Sequence, residues 1–221
     1  MPSALALCVY RGTVLRMAAA APVPHNLTGL TFFIDTHIID AMDEATLCLK
    51  HLGDEGWIDL QRTDAMDTEL ADAPEEKWER LTEASAGYPE ALGPMVWGQS
   101  RWDSSVFGSE EDRIRLDDAF AILFPNADRA TARDNHIRDA MHVSTAIRYG
   151  GYGFITRERR LLNKAPAIAA RFPGFRMWSP EAALAEAAAR IRGLRELHRR
   201  EPNRGDLPAW PAETDLPRIP E

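Results

Sequence analysis

Two short apolar runs, far apart in the chain, each lead into an acidic side chain, and this pattern restricts the fold more than any other feature. Phe32, Phe33 and Ile34 run into Asp35 and Thr36; Phe154 and Ile155 run into Thr156, Arg157 and Glu158. The second run follows a helical pattern over 131–149, which presents Asp139, and a Gly-rich turn. Strands that alternate with helices favour a mostly parallel sheet with helices on both faces. Right-handed crossovers bring the strand ends to one rim, and ligands of such sheets gather at the carboxyl ends of strands. Asp35 and Glu158 are therefore expected to meet. Carboxylates gathered this way repel one another unless protons or a cation offset the charge. A hard divalent metal, bound through oxygen ligands, is the expected cation.

The rest of the chain extends this alternation. Asp43 is placed to cap a helix running to about Leu52, with Gly53 just past its end. A strand over Trp57–Gln61 follows, then a helix from about Asp64 that carries Glu69 beside Ala65, Met66 and Leu70. Pro74 suits the first position of a helix reaching Ser85. Residues 87–109 lack periodicity and read as a long loop containing Trp97, Arg101 and Trp102. Such loops are usually functional or disordered, and its aromatics argue against pure disorder. A helix over Glu110–Leu123, strands at 154–156 and 175–178, and a helix from Glu181 to about Arg200 complete the pattern. This divides the chain into an N-terminal arm (1–30), an α/β domain (31–178, with the 87–109 insert) and a C-terminal helix with a Pro-rich tail (179–221). The tail, with five prolines from Pro202 onward, reads as an extended arm or strap.

Charge is distributed unevenly. The 221 residues carry a net charge of −8, yet residues 38–118 hold 21 acids and 7 bases, while 129–200 hold 15 bases and 6 acids. Unless the fold interleaves them, one surface is acidic and the other basic, and the basic one suits a phosphate backbone. No window reaches the roughly 18 apolar residues of a membrane helix. Arg11 and Arg16 interrupt the Ala-rich N-terminus, which argues against an export signal. Cys8 and Cys48 have no metal-type spacing and fit idle thiols in a reducing cytoplasm.

Four acids occupy instructive places: Asp35 after the first strand, Glu69 and Asp139 on helices, and Glu158 after a later strand. An oxygen set of this kind suits Mg²⁺ or Mn²⁺, which would activate a water and steady oxyanions at phosphorus. Thr36 and Thr156 are placed to hydrogen-bond a carboxylate, water or phosphate beside it. Asp134 and Asp67 are spare acids nearby. His136 and His142 flank Asp139, but lie about 120° apart in helical projection, a poor fit to a zinc site. Arg101, Trp97 and Trp102 could grip a single strand by charge and stacking, although packing of the insert onto the domain is the simpler expectation. There is no Gly-x-Ser-x-Gly elbow and no Gly-rich phosphate loop. A phosphatase built on a nucleophilic Asp35 would want a second Asp where His37 stands.

These motifs resemble those of the PIN-domain ribonucleases, the family that includes many bacterial toxin–antitoxin toxins. Phe33-Ile-Asp35-Thr36 resembles the opening strand, with His37 where Asn is common. Thr63 followed by Glu69 resembles the second motif, Asp139-Ala140 through Ala146 the third, and Thr156-Arg157-Glu158 the fourth, usually Thr-x-Asp. The match spans about residues 31–178. The resemblance implies a three-layer α/β/α sandwich and metal-dependent RNA cleavage, with Asp35, Glu69, Asp139 and Glu158 as catalytic metal ligands. It allows an antitoxin-like protein partner and a homodimer. Glu158 departs from the family's Asp, and its extra methylene moves the carboxylate by about 1.5 Å. The insert and the tail exceed the compact toxin pattern. The alternative is a PIN-like module that binds RNA or protein without cleaving.

Overall fold

The computed structural model describes residues 26–71, 74–101, 105–204 and 206–216. The expected arm over residues 1–25, with Cys8, lies outside them, as do Trp102 and the final prolines Pro217 and Pro220. In chain order the first elements are β1 (Thr31–Ile34), α1 (Thr36–Ile39), α2 (Glu44–Asp54), β2 (Asp59–Thr63), α3 (Ala65–Ala71), α4 (Glu75–Ser85) and β3 (Glu90–Ala91). There follow α5 (Glu110–Leu123), α6 (Asp134–Arg148), β4 (Gly153–Ile155), α7 (Arg159–Leu162), α8 (Ala165–Arg171), β5 (Arg176–Trp178) and α9 (Pro180–Arg200). The described residues form two units: those within 31–41 and 60–179, and those within 26–30, 42–59 and 180–216. The class is α/β, with one parallel sheet in the order β3-β2-β1-β4-β5.

Three neighbouring strands, β1, β4 and β5, lie in register. Phe33 lies beside Phe154, which lies beside Met177; Ile34, Ile155 and Trp178 form the next row. Alternation sends successive side chains to opposite faces. Phe33, Phe154 and Met177 join Leu116, Phe120 and Leu123 of α5, Met141 and Val143 of α6, and Leu161 and Ile168 in one buried cluster. Each such side chain contributes about 1.5–3 kcal/mol when fully buried. On the other face the ring of Phe32 meets Tyr152 and Trp178 edge-on, at 5.9 and 6.5 Å between centroids.

Local chemistry sets the helix ends. Asp43 caps α2 by accepting from the Thr46 amide (3.1 Å). A capping box starts α5: the Asp112 amide donates to Ser109 Oγ (3.2 Å), and the Ser109 amide donates to Asp112 Oδ2 (2.9 Å). Gly53 does not end α2 as its type suggested. The helix runs on to Asp54, and Gly56 takes the left-handed conformation (φ 75°) that the turn requires. The second strand begins two residues later than its apolar run predicts.

Within 87–109 the described residues carry regular bonding. The stretch contains β3, which pairs with β2 through Arg62 beside Glu90 and Thr63 beside Ala91. Beyond it, the Met95 amide donates to Val106 O (2.8 Å), and the Val106 amide donates to Gly93 O (3.0 Å). Gln99 Nε2 donates to Asp134 Oδ1 (2.6 Å), so the spare acid Asp134 ties down the insert. Neither α7 nor α8 is announced by the sequence pattern.

The other unit folds around α2 and α9. The Trp57 indole donates to Trp210 O (2.7 Å), the Trp210 ring stacks on His51 (3.8 Å), and Arg195 lies over Trp57. Arg192 Nε donates to Glu213 Oε1 (2.5 Å). The tail over 206–216 is thus a strap on its own unit. Among the described residues, no helix is long and apolar enough to cross a membrane.

Two glycines should respond oppositely to alanine. A Cβ on Gly153 would stand 2.4 Å from the Trp178 ring and 2.5 Å from Arg176 O, whereas one on Gly193 in α9 meets nothing within 4 Å. Chemical denaturation should show Gly153→Ala losing about 1–3 kcal/mol, and Gly193→Ala gaining up to about 1 kcal/mol from helix propensity.

Candidate functional site

The β1–β4 pairing builds the first half of the site. The Asp35 amide extends the ladder by donating to Ile155 O (3.0 Å), and one residue later in each strand the side chains join: Thr156 Oγ1 donates to Asp35 Oδ2 (2.6 Å). Asp35 then turns the chain into α1. The first turn of α1 brings Thr36, whose hydroxyl donates to Glu69 Oε2 of α3. Both threonines expected to support carboxylates do so.

From the other side, α6 contributes Asp139, and the chain after β4 contributes Glu158 at the start of α7. All four predicted acids line one cavity of about 260 Å³, together with Thr36, His37, Asn135, Arg138 and Arg160. The spare acid Asp67 is absent from its walls; it pairs with Arg62. Asp139 pairs with Arg160. Nη2 of Arg160 donates to Asp139 Oδ2 and to Glu158 Oε2, each at 2.8 Å. Arg148 sits 3.2 Å from the buried Asp112. Arg129 and Arg171 likewise pair with Asp117 and Asp118 of α5, so part of the basic half of the chain is interleaved with the acidic half.

The two histidines of α6 part ways, as their separation around the helix dictates. His136 stacks on Phe124 (4.2 Å between centroids), while His142 is buried beneath the acids. Its Nδ1 lies 2.5 Å from Thr63 Oγ1. Its Nε2 stands 3.5 Å from Glu69 Oε1, an ion-pair distance, and makes no hydrogen bond to any described residue. A His136–Asp139–His142 zinc site does not form. Sequence reasoning passed over His142 and Arg160 as members of the site. The only trace of them is position: His142 lies one helical turn after Asp139, and Arg160 two residues after Glu158.

Electrostatics divides the four acids. Burial raises the Asp35 carboxyl above its ordinary value, against the pull of His142 and the Thr156 hydrogen bond. Burial, reinforced by repulsion from Glu158, raises Asp139 to about 7 despite His142 and Arg160. Burial also opposes ionisation of Glu69, but His142, Thr36 and Arg138 outweigh it and hold the group at about 2. For His142, burial opposes the charge, while Glu69, Asp35 and Asp139 outweigh it and lift the imidazole to about 9. Glu69 and His142 therefore form an ion pair beneath the cavity.

Among the described residues, no three His, Cys, Asp or Glu side chains converge to hold a metal directly. The donors suit a hard cation that keeps much of its water, since Mg²⁺ is usually bound through only one or two carboxylates. Asp35, whose carboxylate has only the Thr156 hydroxyl as a side-chain partner among the described residues, fits that role. Comparison with known proteins adds no relative: no family model, curated protein or solved structure matches the chain.

The ion pair makes metal-free stability depend on pH. The raised imidazole contributes stability in full below pH 6.5, lost as pH rises through about 9. The depressed Glu69 contributes above pH 4.5 and loses its share as pH falls through about 2. Asp139, with its pKa raised, removes stability as pH climbs from 3.8 to about 7 and adds no slope above. Thermal melts in EDTA should therefore show Tm falling between pH 7 and 9. In the His142→Gln, Glu69→Gln double variant that fall should flatten; an unchanged slope would place the titrating group elsewhere.

Proposed function

We propose that this chain is a metal-dependent endoribonuclease of PIN type. The observation that carries the reading is the convergence of four acids, from four separate segments, on one cavity at the carboxyl ends of β1 and β4. Burial there leaves Asp35, which has no cationic partner at ion-pair distance among the described residues, in want of positive charge. The parallel α/β sheet and the motif resemblance support the same reading. A Mg²⁺ or Mn²⁺ ion held there supplies a water of lowered pKa and positive charge for a developing oxyanion.

The chain's own residues do the rest. Thr156 fixes the Asp35 carboxylate, and Thr36 with His142 fixes Glu69, so both acids are oriented before substrate arrives. Asp139, with its carboxyl near neutrality, is suited to exchange a proton with water during hydrolysis of the phosphodiester. Arg138 and Arg160 on the cavity wall offer guanidinium donors to phosphate oxygens. RNA is the substrate; an antitoxin-like protein would be the partner that restrains the enzyme in its host cell, the cytoplasm being the expected compartment. The second reading is a PIN-like module that binds without cleaving. It is favoured by the Arg160 bridge, which already satisfies Asp139 and Glu158.

Cleavage of mixed single-stranded and structured RNAs, with Mg²⁺, Mn²⁺ or EDTA, separates the two. The enzyme should give metal-dependent products, and Asp139→Asn should slow them by about 10²–10⁴-fold, the usual share of acid–base catalysis. The same substitution should not lower the metal-free Tm at pH 8, because it removes a carboxylate that its surroundings disfavour. RNA binding that survives EDTA, with no products under any metal, would establish the binding module instead.

A further inference from the structure

The four acids are not equally provided for. Glu69 has the imidazole of His142, fully buried, with an Nε2 that makes no hydrogen bond to a described residue and points its charge at the cluster. Asp139 and Glu158 share the Arg160 guanidinium. Only Asp35 has no ion-pair partner within 4 Å among the described residues, and its one side-chain bond is from a neutral hydroxyl.

Arg160 is also built in rather than draped over the site. It stands on the first turn of α7, its guanidinium lies over the Phe124 ring (5.1 Å), and the His136 ring stacks on Phe124. A guanidinium on an aromatic face is held in place electrostatically. One nitrogen, Nη2, serves both carboxylates; Nε and Nη1 make no hydrogen bond to a described residue. The side chain is 41% exposed, so those donors are open to an incoming phosphate. Arginine keeps its charge throughout the accessible pH range and presents donors as a rigid fork that matches phosphate geometry.

We infer that the site takes a single divalent ion, at Asp35, and that Arg160 is its permanent second cation, holding Asp139 and Glu158 together and meeting the substrate phosphate. This deepens the nuclease reading and rests on it. Glu158 fits the assignment: its longer side chain reaches a guanidinium two residues away on the same turn.

The test counts Mn²⁺ ions bound by the full chain, from the free-ion electron paramagnetic resonance signal during titration. Wild type should bind one ion and Asp35→Asn none. Arg160→Lys, which keeps the charge, should still bind one; Arg160→Gln, which frees the Asp139–Glu158 pair, should bind two. Circular dichroism melts verify that each variant is folded; if Arg160→Gln is not, the wild-type, Asp35→Asn and Arg160→Lys counts decide the matter. Two ions in wild type, or one in Arg160→Gln, would overturn the assignment to Arg160 while leaving the metal-dependent nuclease standing. No ion in any folded variant would sink both.

Discussion

The pairing of β1 with β4 is the interaction on which the rest of the structure depends. These strands lie at consecutive positions in the middle of the sheet, far apart in the chain, and their register brings Ile34 beside Ile155. One step further, the same register sets Asp35 against Thr156. A slip of one residue would send every side chain to the opposite face, burying the acids in the apolar layers and turning Phe33 and Phe154 out of their cluster. Core and site are thus held by one ladder. Gly153 protects that register, because it is the only residue type that lets Trp178 lie across the strand.

A second constraint follows from the first. Bringing four carboxylates to one cavity is unfavourable in a poorly solvated site, and the fold meets this with charges of its own. His142 rises from below to hold Glu69, and Arg160 closes over Asp139 and Glu158. A lone buried imidazole would favour its neutral form; three surrounding carboxylates reverse that preference. The charge of the site is therefore largely internal, which is why no dense metal-binding knot appears among the described residues although all the expected acids are present.

Much of this was legible before the structure. Short apolar runs located β1, β4 and β5, and α5 spans the residues expected of it, Glu110–Leu123. The four acids and two threonines were legible because each belongs to a short motif with a strand or helix as its frame. Other features were not. The two-residue strand β3 has no period to detect: Glu90 and Ala91 become a strand only because Arg62 and Thr63 of β2 present an open edge. Helices α7 and α8 are too short to show a face. Gly53 resembled a helix stop, yet the turn came at Gly56, where the left-handed conformation was needed. The insert's packing could be expected from its aromatics, but not its partners, because its bonds run to residues distant in sequence, such as Asp134.

What the sequence alone determined is the longer local elements and the chemical types at their ends: strands that finish in Asp or Thr-x-Glu, a helix that carries Asp139, and an α/β class. Those properties depend on near neighbours, through periodicity, capping and backbone preference. What only the tertiary structure decided is which charges meet. Arg160 of α7 reaches Asp139 of α6, and His142 rather than His136 enters the cluster, because ion pairing depends on distances between elements remote in the chain. Burial, which raises Asp35 and Asp139, and the neighbouring charges that outweigh it at His142 and Glu69, likewise arise only when the elements close around them.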